Sequence, residues 1–217
     1  MKFTIIDADQ RSEMWFAARA GRATGSKAHC ILAIGRGGAE AVTKRDYRLQ
    51  LACERLTGKP VDGGYVNYDM QRGIDMEAAA LAAYEAATGE MVRQTGFLAA
   101  DDHLVGCSLD GDVGGFTGIC EWKAPKTNTH VGYWRDRNTF LTEYMPQILH
   151  NLWVSGAQWA DLCSFDDRLP PSLQLLRVRV ERDQAEIDKY AKSVERFLAE
   201  VNLEVQAIKA LMQKEAA

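Results

Sequence analysis

The 217-residue sequence predicts an α/β or α+β fold in which a central mixed β-sheet is flanked by helices. Helical patterns dominate the first third of the chain, short strand patterns cluster near its middle, and a helix, two strands and a long last helix follow. Apolar residues make up 47% of the sequence, and no linker, repeat or low-complexity stretch interrupts it. We therefore expect a single domain over residues 1–217.

Four helices are predicted in the N-terminal part of the chain, over about 12–20, from near Ser26, over Thr43–Thr57 and over about 70–88. The hydroxyl of Ser26 is also a candidate helix cap, because serine accepts hydrogen bonds from the free N–H groups of a first helical turn. Gly58 and Gly89 directly follow the last two of these helices, as expected for glycines that end a helix in the left-handed conformation.

The remaining elements are strands over about 91–99, 104–109 and 116–124, a helix over 142–155, strands over 158–165 and 173–181, and a helix from Asp183. The last helix opens with Asp183-x-x-Glu186, which is a capping pattern, and it carries a continuous apolar stripe. We expect this stripe to be structural.

The middle of the chain carries charged residues in strands that otherwise read as buried. The segment Ser108-Leu109-Asp110-Gly111 is followed by Cys120-Glu121-Trp122-Lys123-Ala124-Pro125, with Gly114-Gly115 as the predicted turn of a hairpin. Side chains two residues apart on a strand share one face, so Glu121 and Lys123 project together while Trp122 points into the core. Buried charges are costly unless they are paired or functional.

These residues have the chemistry of a metal-dependent phosphodiesterase. Mg²⁺ prefers oxygen ligands and keeps several waters, so Asp110, Glu121 and the backbone carbonyl of Trp122 are candidate metal ligands. Lys123 would then lie beside the attacking water or the charge that develops on the phosphate. A D-x(n)-E-x-K pattern alone is weak, because exposed strands often alternate Glu and Lys.

Composition excludes several other classes of protein. The five cysteines are widely spaced and form no C-x-x-C, which argues against a disulfide framework, a zinc site or an iron–sulfur cluster. No apolar run long enough to span a membrane and no secretory leader occur, so we expect a cytoplasmic protein in a bacterial cell or phage-infected host. The net charge is −4, yet residues 1–60 carry 11 Lys and Arg against 6 Asp and Glu, whereas residues 61–120 carry 2 against 10. This asymmetry suits an enzyme that contacts phosphates with one part and metal with another, although solvated charge patches are an equally simple reading.

The motifs together resemble those of the phage-type alkaline exonucleases, the lambda exonuclease or YqaJ-like viral recombinase family of the PD-(D/E)xK nuclease superfamily. In chain order they are Trp15-x(3)-Arg19-x-Gly21-x-x-Thr24-x-Ser26, Gly73-x(3)-Glu77, Ser108-Leu109-Asp110-Gly111, Glu121-x-Lys123-x-Pro125 and Tyr144-x-x-Gln147. The usual S-P-D-G reads S-L-D-G here, which removes a rigid backbone angle but no metal ligand. The resemblance covers nearly the whole chain and implies a PD-(D/E)xK nuclease fold.

The resemblance implies Mg²⁺-dependent hydrolysis of linear double-stranded DNA from the 5′ end, which releases mononucleotides and leaves 3′ single-stranded tails for annealing. It assigns the 5′-terminal phosphate to Arg19 and Ser26, places Glu77 near the metal, and has Gln147 contact DNA or order the metal-bound water. It further implies magnesium, with manganese as a substitute and two ions per site, a ring-shaped homotrimer, a single-strand annealing protein as partner and no membrane. Without the resemblance, Arg19 and Glu77 read as ordinary helix surface residues and Ser26 as a cap.

Several alternatives stay open. Asp112 rivals Asp110, because the D-G-D spelling puts both on one strand face, and the family pattern favours Asp110. Trp134 stacks on a DNA base or, as we prefer, is structural. The family's arginine in the loop after the E-x-K strand has four candidate replacements: Lys126, His130, Arg135 and Arg137. The function itself has two alternatives, an endonuclease of the same superfamily and an inactive DNA-binding module.

Overall fold

The computed structural model describes residues 1–61 and 68–215. The α-helices are α1 (Glu13–Arg19), α2 (Ala28–Leu32), α3 (Val42–Thr57), α4 (Tyr68–Thr88), α5 (Thr127–Arg135), α6 (Arg137–Ser155), α7 (Pro171–Gln174) and α8 (Gln184–Glu215). The strands are β1 (Phe3–Ile6), β2 (Ala23–Thr24), β3 (Val92–Arg93), β4 (Phe97–Ala100), β5 (Val105–Ser108), β6 (Gly111–Val113), β7 (Gly118–Lys123), β8 (Trp159–Phe165) and β9 (Leu175–Glu181).

The predicted fold class is confirmed, since mixed β-structure is flanked by helices, but the strands are divided into two mixed sheets. The first sheet has the order β1-β4-β5-β2 and the second the order β3-β6-β7-β8-β9, and each contains one parallel pair among antiparallel ones. The chain crosses from the first sheet to the second at Leu109-Asp110, between β5 and β6. Asp110 therefore lies where the two sheets meet, outside the regular hydrogen bonding of either.

The predicted helices are confirmed, with one error in capping. Gly58 and Gly89 adopt φ angles of 66° and 74° at the ends of α3 and α4, as their positions predict. Asp183 caps α8 through its Oδ1, which accepts from two backbone N–H groups. Ser26 is wrong as a helix cap: it lies within a 3₁₀ turn, Gly25–Lys27, that leads into α2, and its hydroxyl accepts from Arg19 instead.

Other elements carry too weak a sequence pattern to be predicted. Strands β1 and β2 have four and two residues, and the predicted strand over 91–99 is divided into β3 and the start of β4. Helix α5 is polar and short, and Asp136 separates it from α6 by accepting the N–H groups of Asn138 and Thr139. Trp134 consequently lies on a helix.

Two hydrophobic clusters of the described residues join the helices to the sheets. The apolar stripe of α8 is buried against α3 and α6, and its buried members include Ile187, Tyr190, Val194, Phe197 and Val201. A second cluster joins α4 to the other sheet and contains Ala80, Tyr84, Trp122, Cys163 and Phe165. The side chain of Trp122 thus points away from Glu121 into the core, as the strand alternation predicts. In the described part of the chain no helix is long and apolar enough to cross a membrane.

Candidate active site

The hairpin of β6 and β7 brings Asp110 opposite Glu121. Gly111 pairs with Cys120 in this antiparallel hairpin, so the next position outward pairs Asp110 with Glu121 on one face. The Oδ2 atom of Asp110 accepts the backbone N–H of Trp122 at 2.7 Å. That bond fixes the carboxylate beside the E-x-K strand even though Asp110 itself lies outside β6.

Glu121 is 3% exposed, and both of its oxygens are occupied. Its Oε1 accepts from Lys123 Nζ at 2.7 Å and from Gln147 Nε2 at 2.6 Å. Its Oε2 accepts from Asn151 Nδ2 at 3.0 Å. Two of the three donors come from α6, so this carboxylate is held between the sheet and that helix.

Lys123 is a cation rather than a base in this arrangement. Its Nζ also donates to Gln147 Oε1 at 3.1 Å and lies 4.8 Å from the centre of the Tyr144 ring. Burial lowers the pKa of Lys123, but the charges of Glu121 and Asp110 outweigh burial and raise this pKa above its ordinary value. The ammonium group is therefore suited to orient a water or to stabilise negative charge.

Asp110 is in the opposite electrostatic situation. Burial first, and then the charge of Glu121 and more weakly that of Glu77, raise the pKa of Asp110 well above its ordinary value. Lys123 and the Trp122 N–H group only partly offset this effect. A further cation at this point would relieve the repulsion between the carboxylates.

An acidic cleft of about 290 Å³ opens beside Asp110. Glu77 lines it together with Asp7, Asp9 and Gln94, and the amide of Gln94 donates to Glu77 Oε1 at 3.3 Å. The structure therefore brings Glu77 to the same cleft as Asp110, although the two residues come from α4 and the crossing between the sheets. The cleft is polar and open, as a site for a hydrated ion and a charged substrate must be.

The donors at this site fit a hard divalent cation. Asp110 and Glu121 offer oxygen ligands only, and backbone carbonyls, water and a substrate phosphate would have to complete the shell. Within the described ranges, no three His, Cys, Asp or Glu side chains are close enough to hold a metal by themselves. Magnesium often binds through one or two carboxylates plus substrate phosphates, so this modest protein ligand set suits it.

A second feature lies next to the metal candidates and is built around Arg19. The guanidinium stacks on Trp15 with its Cζ 4.0 Å from the ring centre, and it donates to Ser108 Oγ at 3.3 Å and to Ser26 Oγ at 3.4 Å. Strand β2 runs parallel to β5 with Thr24 beside Gly106, and this register brings Ser26 toward Ser108. No carboxylate of the described residues pairs with Arg19, so its charge is available to an anion.

Asp112 is engaged away from this centre. Its Oδ2 accepts from Arg93 Nε at 3.0 Å and from Nη2 at 2.7 Å, and its Oδ1 accepts the Phe116 N–H in the hairpin turn. The structure therefore gives Asp112 a role in anchoring β3 and the turn. It leaves Asp110 as the carboxylate that faces Glu121.

The remaining candidates differ in access to solvent. His130 is fully buried and contacts Ser164 and the carbonyl of Leu173, which removes it as a replacement for the family's loop arginine. Trp134 donates to that same carbonyl at 3.0 Å, in agreement with the structural interpretation. Three candidate cations are exposed in this region: Lys126, Arg135 and Arg137.

Sequence reasoning missed three residues of this site. Ser108 and Trp15 belong to the sequence motifs, but the motifs do not indicate that Ser108 accepts from Arg19 or that Trp15 stacks under that guanidinium. Asn151 was overlooked entirely. Its spacing of four residues from Gln147, which places both on one helix face, is the signal that could have found it.

Comparisons with known proteins show the family and the fold. The sequence profile of the YqaJ-like viral recombinase domain matches residues 14–158. The structure is similar to LHK-Exo, an alkaline exonuclease from Laribacter hongkongensis, with a TM-score of 0.82 and 36% identity. It is equally similar to LHK-Exo in complex with dAMP, with a TM-score of 0.83 and 35% identity, and both alignments cover 94% of this chain and 99% of the other.

A more distant structure supports the fold alone. A phage-related exonuclease from Haemophilus somnus 129PT has a TM-score of 0.69 at 14% identity, with 88% of this chain and 96% of that one covered. A comparison with curated protein sequences finds no match.

Proposed function

The chain belongs to the YqaJ-like viral recombinase family and has the fold of an exonuclease, and from these premises we propose its reaction. The proposed activity is Mg²⁺-dependent 5′-to-3′ hydrolysis of linear double-stranded DNA, which releases mononucleotides and leaves a 3′ single-stranded tail for annealing. Asp110, Glu121 and the Trp122 carbonyl are the proposed metal ligands. A bound divalent cation would polarise the scissile phosphate and lower the pKa of a water.

The residues around Glu121 then have separate tasks. Lys123 keeps its proton, so it orients the attacking water and stabilises charge on the phosphate rather than removing a proton. Gln147 contacts both Glu121 and Lys123, and this ties their positions together. Glu77 contributes negative charge to the cleft beside Asp110, where it supports binding of the cation.

The position of Arg19 supports hydrolysis from the 5′ end. Its guanidinium donates to Ser108, which lies two residues before Asp110 on the same stretch of chain. Arg19 and Ser26 would therefore hold a terminal 5′ phosphate at a fixed place relative to the metal ligands. This link between the candidate metal carboxylate and Arg19, which has no carboxylate partner among the described residues, is the observation that carries the proposal.

The bond cleaved follows from this arrangement. Water attacks the phosphorus between the first and second nucleotides, the P–O3′ bond breaks, and the departing 3′ oxygen takes a proton. The product is a 5′-mononucleotide, and the shortened strand again ends in a 5′ phosphate that Arg19 can bind. A mononucleotide of this kind, dAMP, is the molecule bound in the LHK-Exo complex.

Assembly and partners extend the proposal through the family alone. A homotrimeric ring around DNA and a single-strand annealing protein would account for the use of the 3′ tail in recombination. Sedimentation of the purified protein and co-purification with its annealing protein test these two points directly.

The activity is tested with a linear duplex that is labelled at one 5′ or one 3′ end and that carries either a 5′ phosphate or a 5′ hydroxyl. In Mg²⁺ we expect early release of 5′ label as mononucleotide, faster from phosphorylated ends, and complete loss of this release in Lys123→Ala. Lys192→Ala on the exposed face of α8 is the matched control and should be fully active.

Two other results would replace the proposal. Internal fragments, or cutting of closed circular DNA, would identify an endonuclease. DNA binding without Mg²⁺-dependent cleavage by the wild type would identify an inactive binding module.

A further inference from the structure

Asn151 is a buried amide that touches the candidate metal site and has no assigned role. It lies on α6 one helical turn after Gln147 and is 1% exposed. Its Nδ2 donates to Glu121 Oε2 at 3.0 Å, while Gln147 donates to Glu121 Oε1 at 2.6 Å. Two amides one turn apart on the same helix thus hold the two oxygens of one carboxylate.

The other end of the Asn151 side chain is unusual. Its Oδ1 is buried and has no hydrogen-bond partner among the described residues. The amide cannot be turned over, because the Glu121 carboxylate only accepts and requires the N–H₂ group. Native proteins rarely leave a buried polar atom unpaired, and an apolar side chain of the same shape would avoid the cost. The hydrogen bond that the N–H₂ group of Asn151 donates to Glu121 must therefore have a role that a leucine side chain could not fill.

The unpaired oxygen faces the backbone segment that carries Ser26. A Cβ atom added to Gly25 would lie 2.3 Å from Asn151 Oδ1 and 3.5 Å from the His150 ring, so this helix face packs directly on the Gly25 backbone. Gly25 precedes Ser26, whose hydroxyl accepts from Arg19. Asn151 therefore lies between the candidate metal carboxylate and the candidate phosphate-binding segment.

We propose that Asn151 is a positioning residue that fixes Glu121 in its metal-binding orientation and holds it in register with the Gly25–Ser26 segment. This inference rests on the proposed function, since it gives Glu121 its role as a metal ligand. Without the Asn151 donor, Glu121 Oε2 would be buried and unpaired, and the carboxylate would turn toward Lys123. A cation would then compete less well for it.

Two variants disturb this contact from opposite sides. Asn151→Leu keeps the approximate shape of the side chain and removes its N–H₂ group. Gly25→Ala retains the asparagine at position 151 but forces its side chain to move away from the added Cβ atom. Asn138→Leu is the matched control, since it makes the same change at an exposed position on the same helix. Thermal unfolding without metal shows whether each variant is folded.

The decisive measurement is Mn²⁺ binding by calorimetry in the absence of DNA, combined with the Mg²⁺ concentration that gives half-maximal cleavage. For Asn151→Leu we expect the Mn²⁺ affinity to fall at least tenfold and the half-maximal Mg²⁺ concentration to rise at least tenfold, with partial recovery of the cleavage rate at high Mg²⁺. For Gly25→Ala we expect smaller changes in the same directions. The control should match the wild type in both.

The possible failures are distinct. If the folded Asn151→Leu and Gly25→Ala variants bind Mn²⁺ as the wild type does while the wild type cleaves DNA, Asn151 is merely structural and only this inference is overturned. If Asn151→Leu does not fold, unchanged metal binding in Gly25→Ala overturns the inference in the same way. If the wild type binds no Mn²⁺ and cleaves no DNA, the proposed function is overturned together with it.

Discussion

His150 makes the stability of the protein dependent on pH between neutrality and pH 4. The imidazole is fully buried in α6, with Nε2 3.0 Å from the Gly106 carbonyl and Nδ1 2.7 Å from the Tyr190 hydroxyl. Because the carbonyl only accepts, Nε2 carries the proton and Nδ1 accepts from tyrosine. Burial, reinforced by the charge of Arg19, lowers the pKa of His150 to about 4, against a weaker opposing effect of the Gly106 bond.

The size of the effect follows from the difference in proton binding between the folded and unfolded chains. Unfolded histidine titrates at 6.5 and His150 in the fold at about 4, so the unfolded state binds the proton more readily. The folded state keeps its full advantage above pH 6.5 and loses it as the pH falls toward 4. Linkage gives a loss of unfolding free energy of about 2 kcal/mol at pH 5 and about 3 kcal/mol at pH 4.

Urea unfolding of the wild type and of His150→Gln, from pH 8 to pH 5, measures this contribution. Other titrating groups, including Asp110 with its raised pKa, are common to both proteins, so the difference between the two curves belongs to His150. We expect the wild type to lose about 2 kcal/mol more than the variant over this range. Equal losses in both proteins, or an NMR titration that shows His150 protonated at pH 6, would refute the reasoning.

Three further predictions concern other parts of the molecule. Arg19→Lys keeps the charge but loses the planar fork, so the preference for 5′-phosphorylated over 5′-hydroxyl ends should fall about tenfold in rate comparisons, the equivalent of one charged hydrogen bond. An unchanged preference would contradict the proposed role of Arg19 in binding the 5′ phosphate. Asp166→Asn removes the buried charge that pairs with both Arg72 and Arg168 and should cost about 2 kcal/mol in urea unfolding at pH 7, whereas a loss below about 0.5 kcal/mol would show these two pairs to be unimportant. Gly118→Ala places a Cβ 2.1 Å from the Trp159 ring and should cost about 2 kcal/mol in unfolding free energy, and unchanged stability would mean that the ring moves freely.

The candidate metal-site carboxylates were predictable because their geometry is local. Asp110 and Glu121 belong to one hairpin, and the two-residue period of a strand is enough to place Glu121 and Lys123 on one face. The contact of Gln147 with Glu121 is different, since 26 residues separate them. Only the resemblance to a family made Gln147 a candidate, and it implied contact with DNA or the metal-bound water rather than with Glu121. Neither that resemblance nor hydrophobic periodicity indicates Asn151, and only its spacing of four residues from Gln147 does so.

The division into two sheets was beyond prediction for a related reason. Strands of two to four residues, such as β2 and β6, are too short for alternation to separate a buried strand from a loop. Their pairing is set by contacts distant in sequence, such as β1 with β4 and β2 with β5. The break at Leu109-Asp110 is therefore visible only once both sheets are assembled.

The hydrogen-bond partners of Glu121 explain why the E-x-K pattern is a weak sequence signal. A carboxylate in a strand with apolar flanks is stable only if each oxygen has a partner. The strand itself supplies one of these donors, Lys123, while Gln147 and Asn151 come from α6. A surface strand with Glu and Lys two residues apart has no need of such a helix. Gln147 and Asn151, four residues apart on α6, therefore distinguish this buried site from the many exposed strands that have the same E-x-K sequence.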